Sequence, residues 1–233
     1  MLKNLQVTRR EVMRTPYGEP SGPLTCGNLC GREVIFLARH GYGHTIPPHK
    51  VNYRANLWAL RDAGVSNVIA VGAVGGIRSD MIPGELAIPD QIIDYTWGRE
   101  HTYFEESLAH VTHVDFTYPY CQELRRLLIQ GAAEAQIDAR PRATYGATQG
   151  PRLETAAEID RMERDGCHVV GMTGMPEAAL ARELGLCYAA CAVVANWAAG
   201  RQSGLINMQD IDRHLKAGME KLRVLLEHVV PQA

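Results

Sequence analysis

Glu33-Val34-Ile35-Phe36-Leu37-Ala38, then Arg39-His40-Gly41, then an unbroken stretch from Lys50 to Ala63, then Asn67-Val68-Ile69-Ala70-Val71-Gly72-Ala73-Val74-Gly75-Gly76: this succession decides the fold. The first segment is a short apolar run bounded by Gly31 and by Arg39-His40-Gly41, which reads as a buried strand entering a loop. From Lys50 to Ala63 there is no Gly or Pro. Val51, Ala55, Trp58 and Leu60 recur there at helical spacing, and Gly64 supplies the stop. A second apolar run from Asn67 to Val71 reads as another strand. Strand, helix, strand in this order predicts a βαβ unit with a parallel pair.

Outward from that unit, the stretch from Leu86 to about Tyr120 carries short β-like pieces among His and aromatic residues, and is expected to form strands with long loops. Alternation then resumes: a helix from about Cys121 to Ala135, a strand near Thr144, and a helix over Glu154 to Arg164 with Thr155 and Glu158 near its start. A strand over His168 to Gly171, a helix over Pro176 to Leu184, a strand over Cys187 to Ala195 and an amphipathic helix over Met208 to Val230 complete the chain. No repeat or linker interrupts it. The prediction is one α/β domain spanning 1–233, with a central mixed, largely parallel sheet flanked by helices.

Composition narrows the function classes. With 46% hydrophobic and 21% charged residues the 233-residue chain buries a sizeable core. Its 24 basic against 26 acidic residues give a net charge of −2, which provides no global field for nucleic acid. No apolar run reaches the ~18 residues of a membrane span, and the first residues have no signal-peptide core, so a cytoplasmic protein is expected. The six cysteines form no CxxC pair, and Cys187 and Cys191 lie in an apolar run; reduced thiols packing as small hydrophobes are the expectation.

In open α/β sheets, ligands sit beyond the carboxyl ends of the strands. The clearest predicted strands end at Arg39-His40, Gly72-Ala73, Met172-Thr173 and Asn196. Singly, each is ordinary: a strand-end Arg is usually a surface ion pair, an Asn a turn or cap. Together they combine an anion fork, open backbone, a hydroxyl and an amide, which suits orthophosphate without lysine or a P-loop. By pattern alone this is an anion-binding α/β protein.

Three segments carry a resemblance. Ala38-Arg39-His40-Gly41-Tyr42-Gly43-His44-Thr45-Ile46-Pro47-Pro48-His49-Lys50-Val51-Asn52-Tyr53-Arg54-Ala55-Asn56, Gln149-Gly150-Pro151-Arg152-Leu153-Glu154-Thr155-Ala156-Ala157-Glu158 and Gly171-Met172-Thr173-Gly174-Met175-Pro176-Glu177-Ala178 resemble the trimeric purine nucleoside phosphorylase and methylthioadenosine phosphorylase family. The similarity runs from about Thr15 onward and is greatest to its bacterial S-methyl-5'-thioinosine branch. It implies phosphorolysis of an N-glycosidic bond through an oxocarbenium-like transition state, with orthophosphate as co-substrate, no metal and no organic cofactor. Arg39, His40, the Ala73 backbone N–H and Thr173 match the family's phosphate ligands. Met172 matches the methionine beneath the ribose, Leu153 a residue beside the base, and Glu154 a carboxylate on the base edge, or else a helix N-terminal charge. Asn196 matches the residue at N7 and the 6-substituent; with Arg39 and His40 it forms the implied catalytic set. An amide accepts from a protonated N7 and donates to a 6-oxo group, where an ionised Asp cannot donate. Met208 and Ile211 stand where a 5'-hydroxyl ligand is found in purine nucleoside phosphorylases, which favours an apolar methylthio group. His113 matches a residue reaching a neighbour's 5' pocket, so a homotrimer is implied.

Two departures stand out. The family's N-terminal strand and Gly-Gly-Ser/Thr-Gly phosphate loop have no counterpart here, and Gly72 occupies a position where relatives carry Thr or Asn. The expectation is therefore a 6-oxopurine nucleoside phosphorylase preferring S-methyl-5'-thioinosine. A methylthioadenosine or general purine nucleoside phosphorylase, a catalytically impaired nucleoside-binding paralogue and a hydrolytic nucleosidase are the alternatives.

Overall fold

The computed structural model describes residues 4–105 and 110–233. Three strands come first: β1 (Gln6–Glu11), β2 (Leu24–Leu29) and β3 (Arg32–Phe36). Helix α1 (Tyr53–Asp62) follows, its first turn capped by the Asn52 side chain, which accepts from the Ala55 N–H. Then come β4 (Asn67–Gly76), β5 (Leu86–Ala87), β6 (Gln91–Asp94), α2 (Gln122–Glu134), β7 (Ala139–Arg140), β8 (Thr144–Ala147) and α3 (Ala156–Arg164). The chain closes with β9 (Val169–Gly171), α4 (Glu177–Glu183), β10 (Cys187–Trp197) and α5 (Met208–Val229). Thr155 and Glu158 form a reciprocal capping box on α3, so that helix starts two residues later than hydrophobic pattern alone predicts.

Seven strands make the central sheet in the order β6-β8-β9-β4-β10-β5-β7. The β4/β10, β5/β7, β6/β8 and β8/β9 pairs are parallel, while β9 on β4 and β5 on β10 are antiparallel. This is the mixed, largely parallel sheet predicted. Strand β10 shows why its sequence is a continuous apolar run: Tyr188 and Ala190 pack under α1 and α4, whereas Ala189, Cys191 and Val193 pack under α2 and α5.

The predicted βαβ pair is corrected. Strand β3 does not lie beside β4; it pairs antiparallel with β2 in a separate sheet of order β1-β2-β3. The cause is local, because Cys30 and Gly31 both take positive φ (51° and 82°), the conformation that closes a two-residue hairpin between right-twisted strands. Among the described residues β4 meets a second neighbour only at Gly75 and Gly76, where β9 pairs with it. Between β3 and the remaining edge of β4 lies a cavity of about 740 Å³, lined by Val34, Phe36, Leu57, Val68, Val71 and Leu226 among others. Val34, Ile35 and Phe36 are consequently half-buried rather than buried.

The thiol expectation is corrected as well. Cys121, at the N-cap of α2, and Cys187, the first residue of β10, form a disulfide across a Cα–Cα distance of 5.1 Å. A separation of 66 residues hides that pair from sequence spacing. Cys26, Cys167 and Cys191 are free and buried, as small hydrophobes are. No helix among the described residues is long and apolar enough to cross a membrane.

Candidate active site

Arg39 leaves the end of β3 and points at the first residue of α4. Its Nε donates to Glu177 Oε2 at 2.5 Å, its Nη2 to Glu177 Oε1 at 2.9 Å, and its Nη1 to the Val71 carbonyl at 2.9 Å. Burial opposes the guanidinium charge, but the Glu177 carboxylate outweighs it by Coulomb attraction and hydrogen bonding, and the pKa lies above its ordinary value. Three of the five N–H groups of a guanidinium are engaged in this way. The other two have no hydrogen-bond partner among the described residues.

His40 follows in the same loop. Its Nδ1 donates to the Ile46 carbonyl at 2.8 Å, which fixes the ring. Burial lowers its pKa, the Ile46 carbonyl opposes the shift and Arg39 adds to it, so the ring favours its neutral form. Arg39, His40, His44 and Glu177 line the end of the cavity between β3 and β4.

Thr173 sits on the loop between β9 and α4. Its backbone N–H donates to the buried Tyr145 hydroxyl at 3.3 Å, and a Cβ added to Gly72 would lie 3.6 Å from Thr173 Oγ1. The Arg39 bond to Val71, the Gly72 approach to Thr173 and exposed Ala73 thus gather three of the predicted anion groups about the middle of β4, which runs on to Gly76 instead of ending at Gly72-Ala73 as predicted. Gly171 is required there, since a Cβ would collide with the Tyr145 hydroxyl.

The next loop packs on the first. Gly150 has φ +58°, and a Cβ there would collide with Met172 Sδ, so Met172 lies directly under the Gly150-Pro151 turn. Glu154 accepts from the Thr148 hydroxyl at 2.6 Å, and Thr148 N–H donates to the Gly171 carbonyl at 2.8 Å. Leu153 is 44% exposed. Asn196 stands opposite Gly75 at a bulge between Val194 and Asn196, which re-aims its side chain. Its Nδ2 donates to the Trp197 carbonyl at 2.7 Å, and it shares a second cavity of about 320 Å³ with Asn207, Asp210, Arg213 and His214.

The remaining predicted residues stand further out. Met208 opens α5 and is 64% exposed, Ile211 is half-buried one turn on, and neither lines that second cavity. His113 is exposed on the long loop before α2. Three residues that sequence reasoning missed hold the site together: Glu177, Tyr145 and Arg99, the last buried and bonded to the loops of both Thr148 and Met172. Their roles lie in tertiary partners, for which no spacing exists to read. Among the described residues no cluster of three His, Cys, Asp or Glu could hold a metal.

The fold is a single α/β domain in which an arginine, a histidine, a threonine and a glycine-bordered stretch of backbone stand about the middle of β4. The chain belongs to the Phosphorylase superfamily, whose model matches residues 2–231, and it is an enzyme of the pentosyl-transferring kind. It is 52% identical to the probable S-methyl-5'-thioinosine phosphorylase of Pseudomonas syringae pv. tomato, over 98% of this chain and 93% of that protein. It is 47% identical to the 6-oxopurine nucleoside phosphorylase of Pyrococcus furiosus, over 96% and 85%. Among solved structures, the methylthioadenosine phosphorylase of Schistosoma mansoni in complex with adenine superposes with a TM-score of 0.93 at 31% identity, covering 97% of this chain and 86% of that one.

Proposed function

We propose that this enzyme carries out phosphate-dependent cleavage of purine nucleosides, and that it favours 6-oxopurines with an apolar 5' substituent, S-methyl-5'-thioinosine first. The coarse reaction rests on kinship: curated relatives named for thioinosine and 6-oxopurine nucleosides and a solved relative named for methylthioadenosine share phosphate and a purine nucleoside. They divide on the base. A general purine nucleoside or methylthioadenosine phosphorylase is therefore the second reading, which the structural relatives favour.

The observation that carries the reading is the grip of Glu177 on Arg39 beside Thr173 and the free edge of β4 at Val71 to Ala73. In this proposal phosphate lies against Arg39, His40, Thr173 and the Ala73 N–H, beneath C1'. As the glycosidic bond lengthens, positive charge grows on the ribose and the bound anion stabilises it. The purine leaves with the bond's electron pair, and a phosphate oxygen closes on C1' to give the sugar 1-phosphate, 5-methylthioribose 1-phosphate from S-methyl-5'-thioinosine. Asn196 supports the leaving group at N7 and O6, Met172 carries the ribose, and Leu153 and Glu154 bound the base. Met208 and Ile211 face the 5' group, with His113 supplied by a neighbour in a homotrimer. Orthophosphate is a co-substrate, and the role needs neither cofactor nor nucleic acid.

The cavity between β3 and β4 supports one further assignment. It is the place for an extended strand ending in an anion-holding loop, the element that the family resemblance puts before the phosphate site. Two facing strand edges and half-exposed Val34, Ile35 and Phe36 favour that reading.

Base release from S-methyl-5'-thioinosine, S-methyl-5'-thioadenosine and inosine, each with and without phosphate, tests the proposal. Phosphate-dependent release fastest on the first is expected. Release independent of phosphate would make the enzyme a hydrolase, and equal rates on all three would leave the general reading.

A further inference from the structure

Arg99 lies in the loop after β6, 8% exposed, and its guanidinium reaches three separate pieces of chain. Nη1 donates to the carbonyls of Met172 (2.9 Å) and Met175 (2.5 Å) and to the Tyr53 hydroxyl (3.3 Å). Nη2 donates to the carbonyls of Thr148 (3.1 Å) and Gln149 (3.0 Å), and Nε to Gln149 Oε1 (3.1 Å). Among the described residues these acceptors are all neutral and no carboxylate pairs with Arg99. A buried cation without a counter-ion is costly. Filling space alone needs no charge, but an apolar side chain would leave these buried acceptors without donors. What only a guanidinium offers is a rigid planar fork that addresses several carbonyls at fixed angles.

Both loops on that fork carry assigned groups. Thr148 bonds Glu154 and precedes the Gly150-Pro151 turn on the base side, while Met172 and Thr173 stand on the ribose and phosphate side. We infer that Arg99 is a positioning residue that locks these two loops in one register, so that occupancy of the phosphate side prepares the base side and the reverse. The inference rests on the proposed function for which ligand each loop meets, but not for the lock itself. An error of about 1 Å between reacting groups costs on the order of a hundredfold in rate. Lysine, with one ammonium point, cannot reach both loops in the same geometry.

The test uses the whole chain with Arg99→Lys, at a temperature where circular dichroism matches the unmodified protein. Expected are a kcat lower by about tenfold to a hundredfold, a raised KM for both phosphate and nucleoside, and loss of the tightening that phosphate confers on nucleoside binding. Intact kcat, both KM values and tightening, with only a lower Tm, would make Arg99 purely structural and overturn the inference. A change confined to one substrate would overturn it too. Should Arg99→Lys fail to fold, Gln149→Leu removes a single acceptor and must move the same quantities in the same direction. If the unmodified protein shows no phosphate-dependent turnover, the proposed function fails, and amide hydrogen exchange decides on Arg99 by itself. Exchange rising together in 148–154 and 172–176 of the variant supports the lock, and rising in one alone removes it.

Discussion

Glu177 takes Arg39 with both carboxylate oxygens, at 2.5 and 2.9 Å, and the two side chains retain only 9% and 16% of their exposure. Neither residue reaches this arrangement alone: Arg39 follows β3 of the small antiparallel sheet and Glu177 opens α4, which packs on β10, so the pair ties the small sheet to the helix layer over the central one.

Glu177→Gln is expected to weaken phosphate binding and stability together. Gln keeps the shape but removes the charge, leaving a nearly buried guanidinium without its counter-ion, a change that costs about 3 kcal/mol where such pairs are buried. Thermal unfolding and the KM for phosphate measure the two effects. Tighter phosphate binding would mean that Glu177 competes with the anion for Arg39 instead of aiming it.

Asn196→Asp tests the base assignment. An ionised carboxylate cannot donate to O6, so the ratio of kcat/KM for methylthioadenosine over methylthioinosine should rise by roughly tenfold to a hundredfold, the worth of one hydrogen bond left unmade at a buried polar group. An unchanged ratio would remove Asn196 from base recognition.

Much of this was readable in the chain and some was not. The run Cys187 to Ala195 is apolar on both faces because helices cover both, and the Thr155-Glu158 spacing announces the α3 cap; such signals are local and survive in sequence. Arg39, Gly72 and Thr173 do come near one another, but not as ends of neighbouring parallel strands: β3 belongs to the small sheet and Gly72 lies midway along β4. The partner of β3 could not be read, because an apolar run does not say which edge it pairs with, and the deciding turn is the Cys30-Gly31 backbone. The Cys121–Cys187 bridge and the Arg99 fork depend on residues far apart in sequence, and only packing brings them within reach.

His168 gives the fold an acid sensitivity. Its Nδ1 accepts the Thr144 N–H at 2.9 Å, and its own backbone N–H donates to the Thr144 carbonyl at 2.9 Å, so the neutral ring closes a ring of bonds between β8 and β9. Burial lowers its pKa and Arg78 pushes the same way. The folded pKa is thus below the unfolded value of about 6.5. Between the two the unfolded chain holds more protons, so the stability is present above about pH 6.5 and is lost as pH falls toward the folded pKa. His40, shifted in the same direction, adds to the effect. His168→Asn keeps an acceptor near the Nδ1 position without titrating, and should shrink the fall in Tm between about pH 7.5 and about pH 5. An identical fall in the variant would place the sensitivity elsewhere.

Gly72→Ser should improve phosphate affinity at no cost in stability. The site has room, since an added Cβ meets only Thr173 Oγ1 at 3.6 Å, an ordinary contact. A serine hydroxyl there gives an anion one more charge-assisted bond, worth up to about tenfold in the KM for phosphate. Gly72→Ala controls for the Cβ and should leave that KM unchanged. An equal effect from both substitutions would show that backbone stiffness, not the hydroxyl, is responsible.

The slot between β3 and β4 makes the most demanding prediction. A chain extended upstream of Met1 by an apolar strand ending in Gly-Gly-Ser-Gly should seat that strand parallel to β4, with its last residues beside Arg39 and His40. Both flanking edges offer backbone groups, and completing the burial of Val34, Ile35 and Phe36 is worth about 1 kcal/mol each, half the usual gain for such side chains. Parallel placement follows from β10, which runs parallel to β4 on its other side and brings strand C-termini to the anion end. The extended protein should therefore melt higher, protect the amides of Val68 to Gly72 from exchange, and show a lower KM for phosphate. An extension of equal length with alternating Lys and Asp should do none of these. If the apolar extension leaves amide exchange in β4 unchanged, the cavity does not take a strand.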